Sequence, residues 1–474
     1  MNAPIARLFV VFVVLFGVLV GFTSRWTVFD ANALRDNTKN HRELIEEQQI
    51  HRGLIRAGDA TVLARSLEQP DKSYVRTYPD GRLFSHAVGY SFVRQGRAGL
   101  ERFYDDDLIG RKNDLGSLVE RLSGTAQEGD DLITALDPAA QRVALQQLGG
   151  RKGAVVALDP RTGAIKVMAS VPGYDPNSVK DQHAFNALNR DADAPLLNRN
   201  TQSGYPPGST FKVVSAIAAI DSGRYTPDSR ISGRNGKVIS GVPLNNDGGE
   251  SFGDITLTDA LTHSVNTVFG EVGEKVGKAT MKKYMDRLGF GAPVEVDLPR
   301  DERAASGERR NGRIIPATSR FVDVGRMAIG QDKLTVTPLQ MAMVASAVAN
   351  GGKLMKPHLG DRIVDRDGRT VRRIQPEELS QVMAPTTASQ VGEMMAQVVR
   401  EGTGTAAALQ GIDVAGKTGT AEVGRNCPNQ LWFIAFAPVQ NPRVAIAVTV
   451  ECGTGFGGTV AAPIAKAVMQ QLLQ

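Results

Sequence analysis

The sequence predicts an α/β protein of the mixed α+β type, whose main domain is a β-sheet covered by helices. Two β runs open that domain, at residues 153–158 and 164–170, and three more follow at 415–423, 431–437 and 443–451. A long, largely helical insertion separates the two groups, and a helical pattern over 462–473 comes last. Strands and helices in this order favour one sheet that packs between helices.

The composition is typical of a folded protein and excludes several functional classes. Hydrophobic residues make up 42% and charged residues 22% of the 474 positions, and this length allows two or three domains. Lys and Arg exceed Asp and Glu by only 55 to 50, and no arginine cluster is interleaved with aromatic residues. We therefore predict no nucleic-acid binding. The six histidines show no metal-ligand spacing, so we predict no metal site.

An uncharged apolar segment spans residues 8–24, between Arg7 and Arg25. Its length just reaches across a hydrocarbon core, and the positive-inside rule keeps Arg7 cytoplasmic. We predict a cytoplasmic tail over 1–7, a single-pass membrane anchor over 8–24, and an extracytoplasmic catalytic region. The alternative is a cleaved signal peptide with Ala31-Asn32-Ala33 as its cleavage site. The apolar run is long for a signal peptide, which favours the anchor, and both alternatives export the protein.

The segments between the anchor and the first strand pair indicate a small separate domain. Residues 37–51 are strongly polar and favour a helix, whereas residues 52–66 mix glycine with short apolar runs that indicate brief strands and turns. Residues 96–110 are acidic and punctuated by glycine. Over 136–148 the apolar residues follow helical spacing, with Asp137 as the predicted cap and Pro138 at the first helical position.

Two further patterns mark elements of the main domain. Residues 159–163, Asp-Pro-Arg-Thr-Gly, give a clear turn signal, so strands 153–158 and 164–170 should form a hairpin. A helical pattern follows Pro338 and closes at Gly351-Gly352.

The only cysteines, Cys427 and Cys452, flank the last two β runs. Folding these runs as a hairpin centred near Val439–Gln440 places the two cysteines roughly opposite each other. An exported protein meets an oxidising compartment, so we expect a disulfide. Two unlinked thiols remain the alternative, because the register is inferred only from symmetry.

The first candidate for chemistry is Ser209, which is followed three residues later by Lys212 in Ser-Thr-Phe-Lys. Pro206, Pro207 and Gly208 stop just before a run with helical apolar periodicity, which places Ser209 at a helix start. Three residues are close to one helical turn, so Lys212 lies on the same face. A serine hydroxyl becomes nucleophilic when a base takes its proton, and a lysine is such a base only if its pKa is lowered.

Two more motifs follow in order. Ser264-Val265-Asn266 lies in a segment that favours helix–turn–helix, where the hydroxyl could relay a proton and the amide could hold a substrate amide. Lys417-Thr418-Gly419-Thr420 lies on a predicted strand, where Lys417 is a candidate second cation near Lys212. Each motif alone is more simply explained as a helix cap, a polar turn or an ordinary edge strand. The three together, in this order, are a set known from penicillin-binding proteins and class A β-lactamases.

On these residues the chain resembles class B penicillin-binding proteins, in particular the actinobacterial type called penicillin-binding protein A. The resemblance covers the whole exported part. It is most specific at 196–212, at 330–352, at 415–422 and at 431–438, while residues 52–66 and 96–110 are similar to the short pedestal, or dimerisation, segment of that class. The implied fold is a penicillin-binding, β-lactamase-like transpeptidase domain with a central antiparallel five-stranded sheet. It would occupy 146–474, after a pedestal domain at 25–145.

The resemblance implies a peptidoglycan D,D-transpeptidase that crosslinks D-Ala-D-Ala stem peptides and is acylated by β-lactams. Ser209 would be the acylated nucleophile and Lys212 its general base. Ser264 would pass a proton to the leaving amine, Asn266 would hold the donor peptide, and Lys417 would tune the local field. No cofactor is implied.

The same resemblance assigns the substrate contacts to the third motif. The hydroxyls of Thr418 and Thr420 would hold the terminal carboxylate, and Gly419 would let the substrate approach the backbone closely. The N–H groups of Ser209 and Thr420 would form the oxyanion hole.

Two absences define the implied class further. The stretch between residues 24 and 153 is too short for a glycosyltransferase domain, so the resemblance implies a SEDS-type glycosyltransferase partner, within division or elongation complexes. Val265 stands where class A β-lactamases usually have Asp, and no Glu-x-x-Leu-Asn follows. Three alternatives remain: a D,D-carboxypeptidase or β-lactamase, a membrane β-lactam sensor, and a scaffold of the division or elongation complex.

Overall fold

The computed structural model describes residues 3–25, 49–111, 128–424 and 427–474. The helix expected over 37–51 lies outside these residues apart from its last three, which are not helical. The alternative cleavage site at 31–33 lies outside them as well.

The strands, in chain order, are β1 Ile55–Arg56, β2 Val62–Glu68, β3 Tyr74–Thr77, β4 Ser91–Phe92, β5 Gly96–Arg97, β6 Asp131–Thr134, β7 Gly153–Leu158, β8 Ile165–Val171, β9 Arg230–Ser232, β10 Lys237–Ile239, β11 Val242–Leu244, β12 Asp254–Thr256, β13 Gly307–Arg310, β14 Arg313–Ile315, β15 Leu334–Thr335, β16 Lys353–Met355, β17 Gly360–Val364, β18 Thr370–Arg373, β19 Glu378–Gln381, β20 Ala415–Gly424, β21 Cys427–Ala437 and β22 Val444–Gly453. The helices are α1 Ala3–Ser24, α2 Ser85–Val88, α3 Gly99–Phe103, α4 Asp105–Leu108, α5 Pro138–Leu148, α6 Gln182–Arg190, α7 Lys212–Asp221, α8 Leu257–Thr262, α9 Asn266–Val276, α10 Lys278–Arg287, α11 Val324–Met327, α12 Pro338–Ala349, α13 Pro385–Arg400 and α14 Gly457–Leu473.

The N-terminal helix α1 has the length and apolar surface of a membrane span. Its window Arg7–Ser24 has a mean hydropathy of 2.3, and none of this window is buried inside the protein. The hydroxyl of Thr23 donates back to the carbonyl oxygens of Leu19 and Val20, which satisfies it within the helix. The helix therefore fits a single-pass membrane anchor.

The predicted five strands form one antiparallel sheet in the order β20-β21-β22-β7-β8. Alternate residues of β7 enter two different cores. Val155 and Ala157 pack with α5 and α14, whereas Val156 and Leu158 join the larger core that contains α7 and α12. The sheet is therefore covered by helices on both faces, and the predicted fold class is confirmed.

A second sheet, β18-β17-β6-β1-β2-β3, is built from two distant parts of the chain. Four of its strands come from residues 55–134, whereas β17 and β18 come from 360–373; β17 pairs with β6, and β18 pairs with β17. The domain boundary at residues 145/146 remains a prediction. In the structure, this sheet contains strands from both sides of that boundary. The small N-terminal region is thus tied to the main domain by backbone hydrogen bonds.

A buried ion network stabilises this N-terminal region. The carboxylate of Glu101, which is 0% exposed, accepts from Arg52 Nε at 2.8 Å and from Arg76 Nε at 2.6 Å. Tyr78 adds a hydroxyl contact at 3.3 Å. Burial alone would raise the pKa of Glu101, but the two guanidinium groups hold it below its ordinary value.

The last hairpin differs in register from the symmetric expectation. Ala437 pairs with Val444, so the loop is centred between Gln440 and Asn441, one residue later than predicted. A bulge between Leu431 and Asn429 then shifts the pairing further, and a disulfide joins Cys427 to Cys452 with 4.3 Å between their Cα atoms.

Helix α14 begins at Gly457, five residues before the predicted start at 462. Glycines have poor helix propensity, so the local pattern placed the start too late. Here the glycine fits because a Cβ on Gly457 would lie 2.2 Å from the carbonyl oxygen of Trp432. Close packing against the sheet therefore determines where the helix begins.

Candidate active site

Ser209 lies in a 3₁₀ turn, Gly208–Phe211, that runs directly into α7. Gly208 has φ +53°, and its N–H donates to the carbonyl oxygen of Gly330 at 3.1 Å. A Cβ on Gly208 would lie 3.0 Å from the carbonyl oxygen of Thr420. The glycine therefore allows the turn to lie directly against strand β20.

The amine of Lys212 is the centre of the site. This side chain is 0% exposed, and its Nζ lies 2.9 Å from Ser209 Oγ. It also lies 2.6 Å from the carbonyl oxygen and 3.2 Å from Oγ of Ser264, and 2.7 Å from Asn266 Oδ1. Burial, and then the nearby charge of Lys417, lowers the pKa of Lys212 well below its usual value.

A neutral Lys212 suits this set of contacts. The carbonyl oxygen of Ser264 and the Oδ1 of Asn266 can only accept, so they take the two N–H groups of a neutral amine. The lone pair of the nitrogen is then free to accept the proton of Ser209. The contacts therefore suit a neutral amine, which the lowered pKa of Lys212 favours.

The second motif joins two short helices, as the sequence predicts. Ser264 lies between α8 and α9 with φ +60°, a left-handed conformation that turns its carbonyl oxygen and its hydroxyl toward Lys212. Asn266 Nδ2 donates to the carbonyl oxygen of Asn245 at 3.0 Å. Because this bond fixes the orientation of the amide, its oxygen faces Lys212. Asn266 thus contacts the amine of Lys212, a contact that the sequence did not predict.

The third motif lies on β20, the edge strand of the main sheet. Lys417 is 0% exposed, and its Nζ lies 3.0 Å from Ser264 Oγ and 3.1 Å from the carbonyl oxygen of Thr418. Burial lowers the pKa of Lys417 to about 7. The hydroxyl of Ser264 therefore contacts both lysine amines, and the structure brings all five predicted catalytic residues together.

The two threonines that are predicted to bind substrate contact residues that lie far away in the sequence. Thr418 Oγ1 lies 2.6 Å from Thr403 Oγ1, and Thr420 Oγ1 accepts from the N–H of Gly457 at 3.1 Å. A Cβ on Gly419 would lie 2.8 Å from the carbonyl oxygen of Pro207. No local pattern marks Thr403 or Gly457, because each is brought to β20 only by the tertiary fold.

The backbone of Thr420 faces the turn Gly208–Phe211, which contains Ser209. Its carbonyl oxygen lies toward Gly208, and in an antiparallel strand the N–H and C=O of one residue point to the same side. The N–H of Thr420 therefore also points to the side on which Ser209 lies. This placement suits an oxyanion hole at the open edge of the sheet.

Family models of known proteins match two stretches of this chain. Residues 153–470 match the family model described as the penicillin binding protein transpeptidase domain. Residues 52–132 match the penicillin binding protein A dimerisation domain. Peptidoglycan D,D-transpeptidase PbpA of Mycolicibacterium smegmatis is 34% identical over 100% of this chain and 99% of its own length.

Two solved structures superpose closely on this chain. The ceftriaxone acyl-enzyme complex of penicillin-binding protein A from M. tuberculosis superposes with a TM-score of 0.82 at 30% identity, covering 91% of this chain and 100% of that one. The D,D-transpeptidase domain of a peptidoglycan glycosyltransferase from Eggerthella lenta gives a TM-score of 0.79 at 34% identity, covering 90% and 98% of the two chains.

Proposed function

The chain belongs to the penicillin-binding protein transpeptidase family, and we propose that Ser209 is the nucleophile of its peptidoglycan D,D-transpeptidase reaction. The chain is a class B penicillin-binding protein and a serine-type acyltransferase that β-lactams acylate. The observation that carries the assignment of Ser209 is the 2.9 Å contact between its hydroxyl and the buried amine of Lys212.

Acylation begins with proton transfer from Ser209 Oγ to Lys212 Nζ. The oxygen then attacks the carbonyl carbon of the penultimate D-Ala of a stem peptide, and a tetrahedral intermediate forms. Its negative oxygen is stabilised by the N–H groups of Ser209 and Thr420. The buried setting strengthens these interactions, because little water screens them.

Collapse of the intermediate needs a proton on the leaving nitrogen. Ser264 Oγ contacts the amines of Lys212 and Lys417 at 3.2 and 3.0 Å, so it can give its proton to the leaving amine and take one from a lysine. The terminal D-Ala departs, and an acceptor amine attacks the ester to form the crosslink. A β-lactam is opened by the same attack, but its leaving amine stays tethered, so the ester persists.

We also propose the finer assignments of location and partners. The catalytic domain, residues 146–474, is extracytoplasmic and is held above the membrane by α1 and by a pedestal over 25–145. The apolar surface of α1 and the match of 52–132 to a dimerisation domain support this arrangement. A SEDS-type glycosyltransferase in division or elongation complexes would supply the glycan strands.

Labelled penicillin tests the nucleophile directly. The full chain in detergent should carry the penicilloyl group on Ser209 by peptide mass spectrometry, and Ser209→Ala should abolish the label. Ser222→Ala is the matched control, because Ser222 lies at the other end of α7 and bonds only the carbonyl oxygen of Ala219. An adduct on another side chain would overturn the proposal.

Crosslinked dimers from a stem-peptide donor and acceptor would support transpeptidation, whereas only trimmed monomers would support a carboxypeptidase.

A further inference from the structure

The loop that precedes Ser209 is tied to the last strands of the sheet by side chains outside the three motifs. Tyr205 donates its hydroxyl to Glu451 Oε1 at 2.5 Å. The indole N–H of Trp432 donates to the carbonyl oxygen of Pro206 at 2.9 Å, and its ring lies edge-on to that of Tyr205. Only three residues lie between Tyr205 and Ser209 in the sequence.

Glu451 is itself held in place by a buried guanidinium. Arg199 is 3% exposed, and its Nε donates to Glu451 Oε1 at 2.7 Å. Its other nitrogens donate to the carbonyl oxygens of Asp193 and Ala194 at 2.7 and 3.2 Å. The carboxylate thus accepts a charge-assisted bond from Arg199 and a hydroxyl bond from Tyr205 on one oxygen atom.

A β-bulge in β22 directs the side chain of Glu451 toward the loop that precedes Ser209. The pairing of β21 with β22 shifts between Leu431 and Asn429, so Glu451 and Cys452 fall inside the irregularity, and Cys452 has φ +50°. The disulfide from Cys452 to Cys427 lies immediately next to Glu451. Bulges commonly redirect one side chain beside an active site.

We infer that Tyr205 and Glu451 are positioning residues that hold the Ser209 turn against β20 in the geometry that acylation requires. The chain of contacts runs from the bulge of β22 through Glu451 and Tyr205 to the proline–glycine turn under Ser209. The inference rests on the proposed role of Ser209. Burial and the charge of Glu451 raise the pKa of Tyr205, so its hydroxyl stays a donor.

The test compares acylation by a chromogenic β-lactam in the full chain and in Tyr205→Phe, with the binding constant and the acylation rate constant measured separately. Tyr205→Phe removes one oxygen atom. We expect the acylation rate constant to fall about tenfold, because a nucleophile that moves by a fraction of an ångström loses attack geometry. The binding constant should stay within about twofold, since Tyr205 does not contact the predicted ligand site. Glu451→Ala should slow acylation at least as much, because it also removes the partner of Arg199. Adding Tyr205→Phe to it should give little further loss, because the bond between Tyr205 and Glu451 is already absent.

Tyr284→Phe is the matched control. Tyr284 also donates its hydroxyl to a carboxylate, that of Asp221 at 2.8 Å, but at the end of α7 remote from Lys212. Loss of the acylation rate in Tyr205→Phe but not in Tyr284→Phe supports positioning. An unchanged rate in Tyr205→Phe, or an equal loss in both, overturns it. In every variant the adduct is mapped: an adduct away from Ser209 contradicts the proposed function, whereas an adduct on Ser209 at full rate contradicts only this inference.

Discussion

Lys417→Met should shift the pH dependence of acylation to higher pH. Both lysine amines contact Ser264 Oγ, at 3.2 Å from Lys212 and 3.0 Å from Lys417, so the two nitrogens are at most about 6 Å apart. Methionine keeps most of the buried volume and removes the charge. The charge of Lys417 is one cause of the lowered pKa of Lys212, so its loss raises that pKa.

The size of this shift follows from Coulomb's law. Two unit charges about 6 Å apart interact by about 3 kcal/mol at an effective dielectric constant of about 20. This is an upper value, because Lys417, with a pKa of about 7, is only partly charged near neutrality. Lys212 acts as a base only when unprotonated, so activity lies above its pKa. A raised pKa therefore moves the rising limb of the rate profile to higher pH, and the rate recovers in alkaline solution.

The assay is the rate of β-lactam acylation from about pH 6 to about pH 10, in the full chain and in Lys417→Met. Lys278→Met is the control, since Lys278 is partly buried and bonds the carbonyl oxygen of Ser319, far from the site. If the rising limb of the Lys417→Met profile stays at the pH of the unchanged chain, the charge of Lys417 does not set the basicity of Lys212. An equal fall of the acylation rate at every pH would show that Lys417 acts only as a hydrogen-bond donor.

Two further predictions, each with a control variant, concern the turn that contains Ser209 and the N-terminal region. Gly208→Ala should slow acylation at least tenfold and destabilise the fold by about 1–2 kcal/mol, because alanine disfavours φ +53° and its Cβ would press on Thr420. Gly223→Ala, at φ +72° with no atom within 4 Å of the new Cβ, should show the backbone cost alone in thermal unfolding and keep the acylation rate. Glu101→Gln should lower the stability of the N-terminal region by about 3–5 kcal/mol, since it removes the carboxylate charge that the buried guanidinium groups of Arg52 and Arg76 share. Glu393→Gln breaks an exposed pair with Arg400 and should shift the melting temperature little; equal shifts in the two variants would contradict the importance of burial.

The central sheet was predictable because its strands have a strong local signal. Residues 153–158 are buried throughout, and the apolar run in the sequence shows this directly. The membership of β17 and β18 in the N-terminal sheet was not predictable. The partner of β17 is β6, which lies more than two hundred residues earlier in the chain. Strand β18 is exposed along its whole length, so no periodicity of apolar residues marks it.

The site was predictable to the extent that its residues lie in short motifs. Ser209 and Lys212 are one helical turn apart, so the sequence alone brings them together. The convergence of Ser264 and Lys417 came from the family resemblance, because nothing local links positions so far apart. Glu451 was missed for a physical reason: its direction depends on a bulge, and the symmetric hairpin expected from the sequence has none.

The hydrogen-bond acceptors around Lys212 suit both the neutral amine and the ammonium ion without rearrangement. The neutral amine needs two acceptors, which the carbonyl oxygen of Ser264 and Asn266 Oδ1 provide at 2.6 and 2.7 Å. After the amine takes the proton of Ser209, its third N–H needs a partner, and Ser264 Oγ already lies 3.2 Å away. Because Ser264 is also the proposed donor to the leaving amine, the proton arrives where the next step requires it. A site that has its acceptors in place before the transfer avoids a reorganisation cost at the moment of reaction.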